Sequence, residues 1–335
     1  GVGFDIAYSS SGLTDRNYAG TGLLVDAQRG LVVVDRNTVP VSMGDARLTF
    51  AGTIEIPARV VYIHPLHNLA VLQYDPKLVG DTPVQAAQLS TEPLKSGESV
   101  TVVGLDSGGE LQARSTAIAE VNPLLLPLSR TVQFRDANLE VATLVNPPED
   151  VVGVLADKQG RVRGMWASFA TDNGRELVQQ SRGLSADLLA ETLQIVRSGG
   201  ALRSFEAEFG VQTLAAARGL GLSDEWVKRI QQANPEARQV LSVARLVGGS
   251  DAAKQLLPGD VLLAIDGTTV TRFRDVERAV MGKDQVQATV WRADGPKVLT
   301  VRTAPLSGID VDRVISWAGA TLQAPHRAMA AQRGI

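Results

Sequence analysis

The sequence predicts a mainly β protein: antiparallel strands forming a barrel or sandwich, followed by a smaller α+β block. Three observations carry this expectation. Between Tyr18 and Phe169 the chain is a succession of short apolar runs, "LLVDA", "GLVVVD", "ARLTFAG", "ARVVYIH", "LAVLQYD", "SVTVVGL", "VVGVLAD" and "RVRGMWASF", punctuated by Gly, Pro, Asn and Asp. Around Leu184 the apolar period lengthens to that of a helix. From Arg203 to Pro305 two helical patterns alternate with strands.

In chain order, "GTGLLVDAQRGLVVVDRNTVP" (Gly20 to Pro40) reads as a hairpin, with Leu23–Val25 and Leu31–Val34 as strands and Gln28-Arg29-Gly30 as turn chemistry. In "LSADLLAETLQIVRSGG", Leu184, Leu188, Leu189 and Leu193 share one helical face, and Gly199-Gly200 ends the helix. Ser223 is a good N-cap, and Asp224 and Glu225 suit the first turn of the helix that follows. Arg272 to Met281 reads as a second helix, and "PGDVLLAIDG" as turn, strand and turn. Beyond Pro305, Ile315, Trp317 and Ala318 suggest a strand and "APHRAMAAQ" a short helix. The predicted organisation is a barrel domain over 1–182, a linker helix over 183–202, an α+β domain over 203–305 and a C-terminal segment over 306–335.

The bulk numbers are those of an ordinary globular chain. Its 335 residues are 44% hydrophobic and 21% charged, with aromatics at only 4%, so the core rests on Val, Leu, Ile and Ala. A net charge of -3 gives no global reason to expect nucleic acid or an anionic membrane surface as partner. There is no cysteine, which excludes disulfides, thiol nucleophiles and cysteine-based metal sites. No window approaches the roughly 18 consecutive apolar residues of a membrane span. The start at Gly1, without a basic-then-apolar leader, reads as a mature form or a fragment.

"GTGLLVDAQRGLVVVDRNTV", "HPLHNLAVLQYD" and "NPPEDVVGVLADKQGRVRGMW" appear in the order of, and resemble, the strands that carry the catalytic base, its carboxylate partner and the nucleophile in the HtrA/Deg serine proteases. The resemblance covers Gly20 to Ala167 and implies a trypsin-like double β-barrel. Carried over position by position, Asn37 falls at the base, Asn68 at its carboxylate partner and Val151, within one residue, at the nucleophile. An amide takes no proton from a hydroxyl near neutral pH, and valine has no nucleophilic atom. Loss of nucleophile or base in such triads costs on the order of a million-fold in turnover. Pro148 and Glu149 replace small residues of the oxyanion loop, where an acid opposes developing negative charge.

A displaced arrangement is also open. "LDSGGEL" (Leu105 to Leu111) offers Ser107 as an alternative nucleophile with His67 as its base, and Asp81 and Asp106 lie between His67 and Ser107. Against it, Asp-Ser-Gly-Gly is common turn chemistry between two strands. In that case His64 reads as a strand-end cap and His67 as a surface residue. The third histidine, His326, is remote in sequence from any acidic cluster, so no metal or other cofactor is expected.

"GGSDAAKQLLPGDVLLAIDGTTV" resembles the centre of a PDZ domain. The resemblance implies a groove for protein or peptide C-termini. "EFGVQTL" (Glu208, Phe209, Gly210, Val211 and onward) would supply the carboxylate-binding loop, and Val276 and Val280 would line the helical wall. A second possibility is a PDZ-like fold used only for packing. The long insertion between Val211 and Leu246 is a candidate cover for the groove.

"VVVDRNTVP", "IHPLHNLAVLQYDP" and "AQLSTEPLKSGE" resemble the degenerate second protease half of large tandem HtrA-type proteins. The C-terminal segment resembles the start of a further PDZ-like unit. The resemblance implies a pseudoprotease module in protein quality control, not itself an enzyme, that scaffolds or regulates an active protease half of the same parent chain or its oligomer. The alternative is a divergent trypsin-like serine endopeptidase with a peptide-binding PDZ domain. The Ala- and Arg-rich composition with few Lys reads as bacterial, for which the HtrA resemblance implies an extracytoplasmic location; a nuclear one follows if the chain is of the fungal branch.

Overall fold

The computed structural model describes residues 1–128, 131–172, 177–293 and 295–333. Seven antiparallel strands open the chain: β1 (Val2–Asp5), β2 (Asn17–Gly20), β3 (Leu23–Asp26), β4 (Leu31–Val34), β5 (Asp45–Phe50), β6 (Ile54–Ile63) and β7 (Ala70–Tyr74). They form one sheet in the order β2-β1-β5-β6-β7-β4-β3. Alternation sets its inner face, since Val2 and Phe4 of β1 and Ala46 and Leu48 of β5 point inward. The four residues of β4 are all buried.

Six further strands form a closed barrel: β8 (Ser99–Leu105), β9 (Leu111–Leu124), β10 (Leu139–Leu144), β11 (Val152–Ala156), β12 (Val162–Asp172) and β13 (Leu177–Ser185), in the order β10-β13-β12-β11-β8-β9. Its core is built around Trp166 with Val102, Ile118, Ala142 and Leu155. Gly104 faces Gly153 across β8 and β11, and a Cβ on Gly153 would stand 2.1 Å from the Val103 carbonyl oxygen. Only glycine permits that approach.

Helix α1 (Ala186–Ser198) follows, burying Leu188, Leu189 and Leu193 and ending at Gly199 in the left-handed conformation (φ 67°). Leu184, expected on its face, is instead the penultimate residue of β13 and is fully buried there. Ser185 at the N-cap is extended, so the helix starts one residue later. A buried leucine satisfies either pattern.

By contacts the chain divides into two compact units. The first comprises 1–136, 140–200 and 308–326, and the second 137–139, 201–307 and 327–335. In the second unit, β14 (Leu202–Ser204) pairs with β21 (Ala304–Leu306). A six-stranded sheet contains β15 (Ala207–Thr213), β16 (Gln239–Leu246), β17 (Val261–Ile265), β18 (Thr268–Thr269), β19 (Gln285–Arg292) and β20 (Gly295–Arg302). Its order is β15-β16-β17-β19-β20, with β18 attached to β17, so β15 is an edge.

One sheet face packs Phe209, Leu241 and Leu262 against Phe273, Val276 and Val280 of α5 (Phe273–Val280), beside the short α4 (Ala252–Gln255). The other face, through Val240, Val261 and Leu263, carries α2 (Leu214–Gly219) and α3 (Asp224–Ala233). The inserted helices therefore cover the sheet face opposite α5. Ser223 caps α3 by accepting the Trp226 N–H.

The C-terminal segment forms a hairpin, β22 (Val314–Trp317) with β23 (Ala320–Gln323), and helix α6 (Arg327–Arg333). Residues 308–326 belong to the first unit, where Ile63 N–H donates to the Gly308 carbonyl at 2.6 Å and Ser11 N–H to the Gln323 side chain at 3.0 Å. Helix α6 belongs to the second unit, where Arg327 pairs with Glu206 at 2.9 Å.

Candidate functional site

After β4 the chain turns sharply through Asp35, Arg36, Asn37 and Thr38. The turn is organised by the Asp35 carboxylate, which accepts the Thr38 N–H at 2.8 Å and the Thr38 hydroxyl at 2.7 Å. Its other oxygen accepts the Ser168 N–H of β12 at 2.9 Å. Burial pushes the Asp35 carboxyl up, and these hydrogen bonds pull it back.

Asn37 donates to the Ser168 hydroxyl at 2.9 Å, and Asn68 donates to the Ser168 carbonyl at 2.7 Å. The Asn68 side-chain oxygen accepts the Arg36 N–H at 2.7 Å. The two sequence-predicted asparagines are thus brought together, each bonded to Ser168 rather than to the other. Val151 is not part of this cluster. It is buried in the closed barrel's core with Leu94, Val100 and Trp166. Pro148 and Glu149 lie in the preceding loop, between Asn146 and Asp150, which are left-handed (φ 50° and 57°).

A buried charge cluster adjoins the turn. The Arg36 guanidinium donates to the carbonyls of His64 (3.0 Å) and Pro40 (3.1 Å), pairs with Asp310 at 3.3 Å, and lies 3.6 Å over the centroid of Phe134. Burial lowers its pKa to about 10, leaving it cationic at neutral pH. Asp136 is pushed up to about 6 by burial, against the opposing pull of His67 and Arg36.

His67 is wholly buried and stacks on His64 with centroids 4.8 Å apart. This corrects the expectation of a surface residue. His64 does cap the end of β6, its Nδ1 accepting the N–H groups of Leu66 (3.2 Å) and His67 (3.0 Å). His326, remote in sequence, joins the cluster: burial lowers its pKa, Asp310 raises it and Arg36 lowers it. Ser107 lies exposed in the turn between β8 and β9, where Asp106 accepts the N–H groups of Gly108 and Glu110 at 2.9 and 3.0 Å. Ser107 is exposed and His67 enclosed. Among the described residues no group of three or more His, Cys, Asp and Glu side chains is arranged to hold a metal ion.

In the second unit, Glu208, Phe209, Gly210 and Val211 lie within strand β15 rather than in a loop. Gly210 pairs in register with Ser242 and does not use its freedom to turn. Phe209 is buried, and Val276 and Val280 point into the same core. The side chain of Asn138 meets the open edge of β15. The Asn138 amide donates to the Ala207 carbonyl at 2.8 Å and accepts the Phe209 N–H at 2.8 Å.

Sequence reasoning missed Ser168, Asp35, Arg36, Asp136 and Asn138. Asp35-Arg36 carried a signal, since two charges interrupt the apolar run "VVVDRNTV". The other three are set by partners far away in sequence.

Two antiparallel barrel-type sheets followed by an α+β sheet flanked by helices define a trypsin-like protease fold joined to a PDZ-like domain. Solved structures share it. The HtrA-type protease AlgW with a tripeptide superposes at TM-score 0.59 with 20% identity, covering 87% of this chain and 90% of that one. AlgW with a decapeptide gives 0.58 at 20% identity, covering 87% and 83%.

In sequence the chain is 34% identical over 320 residues to a PDZ domain-containing protein of Schizosaccharomyces pombe, 93% of this chain and 32% of the relative. It is 32% identical over 325 residues to the pro-apoptotic serine protease nma111 of Aspergillus niger, 93% of this chain and 31% of the relative. It is 34% identical over 361 residues to Protease Do-like 7 of Arabidopsis thaliana, 96% of this chain and 33% of the relative. No protein-family profile matches the chain. Along nearly its whole length the chain is homologous to HtrA-type serine proteases with PDZ domains, and it spans about a third of the length of the curated relatives it matches.

These relatives overturn one expectation. The chain is not to be set aside as a non-enzyme, because proteins named as serine proteases align with more than nine-tenths of it. That expectation rested on Asn37, Asn68 and Val151 alone. The identity of three side chains speaks for those positions and not for the activity of the protein that carries them.

Proposed function

We propose that this chain works in an HtrA-type serine endopeptidase, its barrel unit forming protease-fold body and its PDZ-like unit capturing extended peptides for processing. The observation that carries this reading is the run of relatives named as serine proteases along nearly the whole chain. The peptide-capture part draws on the AlgW structures with a tripeptide and with a decapeptide, and on the edge position of β15. An edge strand offers main-chain donors and acceptors to an added strand, and neighbouring pockets select its side chains. The substrate class is unfolded or C-terminally exposed polypeptide, as in protein quality control.

The test uses the whole protein with fluorescently labelled casein and a serine-directed fluorophosphonate. The expected result is casein hydrolysis that the fluorophosphonate stops, with the modified serine located by peptide mapping. Modification within this chain, at Ser107, Ser168 or another serine, assigns the nucleophile to it. Folded protein that neither hydrolyses casein nor takes the label overturns the reading.

A further inference from the structure

We infer that Asn138 is an intramolecular stand-in for a peptide ligand at the edge of β15, so that peptide capture requires its displacement. The inference rests on the peptide-capture reading above and names the regulation of that same site.

Residues of a β-strand direct their N–H and C=O groups alternately to the two sides. Phe209 and Val243 lie directly opposite each other. Val243 uses its own N–H and C=O on the other side, with Asp260 and Gly259, so theirs is a pair that exchanges no main-chain bonds. The Ala207 carbonyl and the Phe209 N–H accordingly point out of the sheet, at the positions an added strand would use. A primary amide carries a donor and an acceptor side by side, as a peptide unit does. Asn138 places the two at 2.8 Å from these edge groups.

One further fact fits a built device. Asn138 itself is left-handed (φ 54°), a conformation that costs most residues energy and that asparagine tolerates. Glu208, between the two edge groups, keeps its side chain clear of the buried core that holds Ala207 and Phe209. The occupant is thus a single amide rather than a full strand. An incoming peptide replaces two hydrogen bonds and can add others along Val211.

The test is made on the whole protein. Asn138→Gly removes the amide while keeping a backbone able to hold positive φ. The probe is a fluorescein-labelled decapeptide with a free, hydrophobic C-terminus, followed by fluorescence anisotropy. Asn138→Gly is expected to bind it about tenfold tighter than the natural chain, the net contribution of two neutral hydrogen bonds. Its Phe209 amide is expected to exchange with deuterium faster when no peptide is present. A second measurement needs no variant: peptide titration of the natural chain shifts the Asn138 side-chain NH2 resonance toward its solvated position.

Equal affinities, or peptide binding that leaves the Asn138 resonance unmoved, overturn the inference while leaving peptide capture in place. No peptide binding by either protein, with faster Phe209 exchange in the variant, overturns the capture reading and the competition with it.

Discussion

The barrel unit and the PDZ-like unit satisfy their enclosed polar groups in different ways. In the first, residues 35, 36, 37, 68, 136, 168, 310 and 326, drawn from six places along the chain, form one connected set around a turn. Arg36 alone touches four partners in that set and its surroundings. In the second, the enclosed Asp260 is held by a two-point pair with Arg292 at 2.7 and 2.8 Å, and the open strand edge by one amide. A connected set of buried groups is hard to alter one member at a time, because each removal leaves other charges or donors unpaired in a dry site. A single amide on a strand edge is exchangeable, since water or another strand can take its place. The first arrangement fixes geometry. The second leaves room for regulation.

Arg36→Met gives the sharpest test of that contrast. It removes a buried cation and leaves Asp136, Asp310 and the His64 and Pro40 carbonyls without it. A loss of about 3–5 kcal/mol is expected in urea unfolding of the barrel unit. Amide exchange in β17, in the other unit, should stay at its original rate. A uniform loss of protection across both units would break the comparison.

The next effect is a pH dependence. Asp136 is raised by burial from 3.8 to about 6, so the folded state holds a proton that the unfolded state releases earlier. The stabilising contribution is full below about pH 3.8 and is lost as pH rises to about 6. Across that window it amounts to about 3 kcal/mol at most. Asp136→Asn should flatten this part of the stability profile, measured as urea midpoints between pH 4 and 7. A natural chain with no fall in stability over that range would show that Asp136 does not titrate as the cluster requires.

Asp35→Asn comes third. The carboxylate accepts three hydrogen bonds, and an amide must turn an N–H toward one of those donors. A loss of about 2 kcal/mol is expected, close to the cost of leaving one buried donor unmet. The asparagine pair should be disturbed with it, because both asparagines bond Ser168, whose N–H Asp35 accepts.

Much of the fold was legible because its causes are local. Period-2 runs such as "ARLTFAG" and "SVTVVGL" became β5 and β8, and Ser223 with Asp224 and Glu225 opened α3 where capping chemistry placed it. The carboxylate loop expected at Glu208–Val211 became strand because Phe209 alternates into the core while Gly210 meets Ser242, a pattern that a motif resemblance does not weigh. The site was less legible. Asn37 and Asn68 could be singled out, but their common partner Ser168 is 100 residues beyond Asn68, and nothing in "GMWASF" marks that hydroxyl. His67 looked exposed because it sits between turn residues. The tertiary fold buries it, with His64 stacked on its ring and Asp136 brought near from far along the chain.

Ser168→Ala is the mildest test and bears on the centre of the cluster. The substitution removes the hydroxyl that Asn37 bonds at 2.9 Å and leaves untouched the main-chain bonds from Ser168 N–H to Asp35 and from Asn68 to the Ser168 carbonyl. Asn37 is half-buried, so solvent can reach its freed amide. The loss in urea unfolding should be about 1 kcal/mol, the net value of one hydrogen bond with partial compensation from water. The Asn37 side-chain NH2 resonance should move toward its solvated position, while that of Asn68 stays where it is. If both move together, the two amides are coupled through the hydroxyl itself. The Asp35 turn and the β12 backbone would then not suffice to hold Asn68, and the barrel unit would contain an exchangeable member within its own cluster.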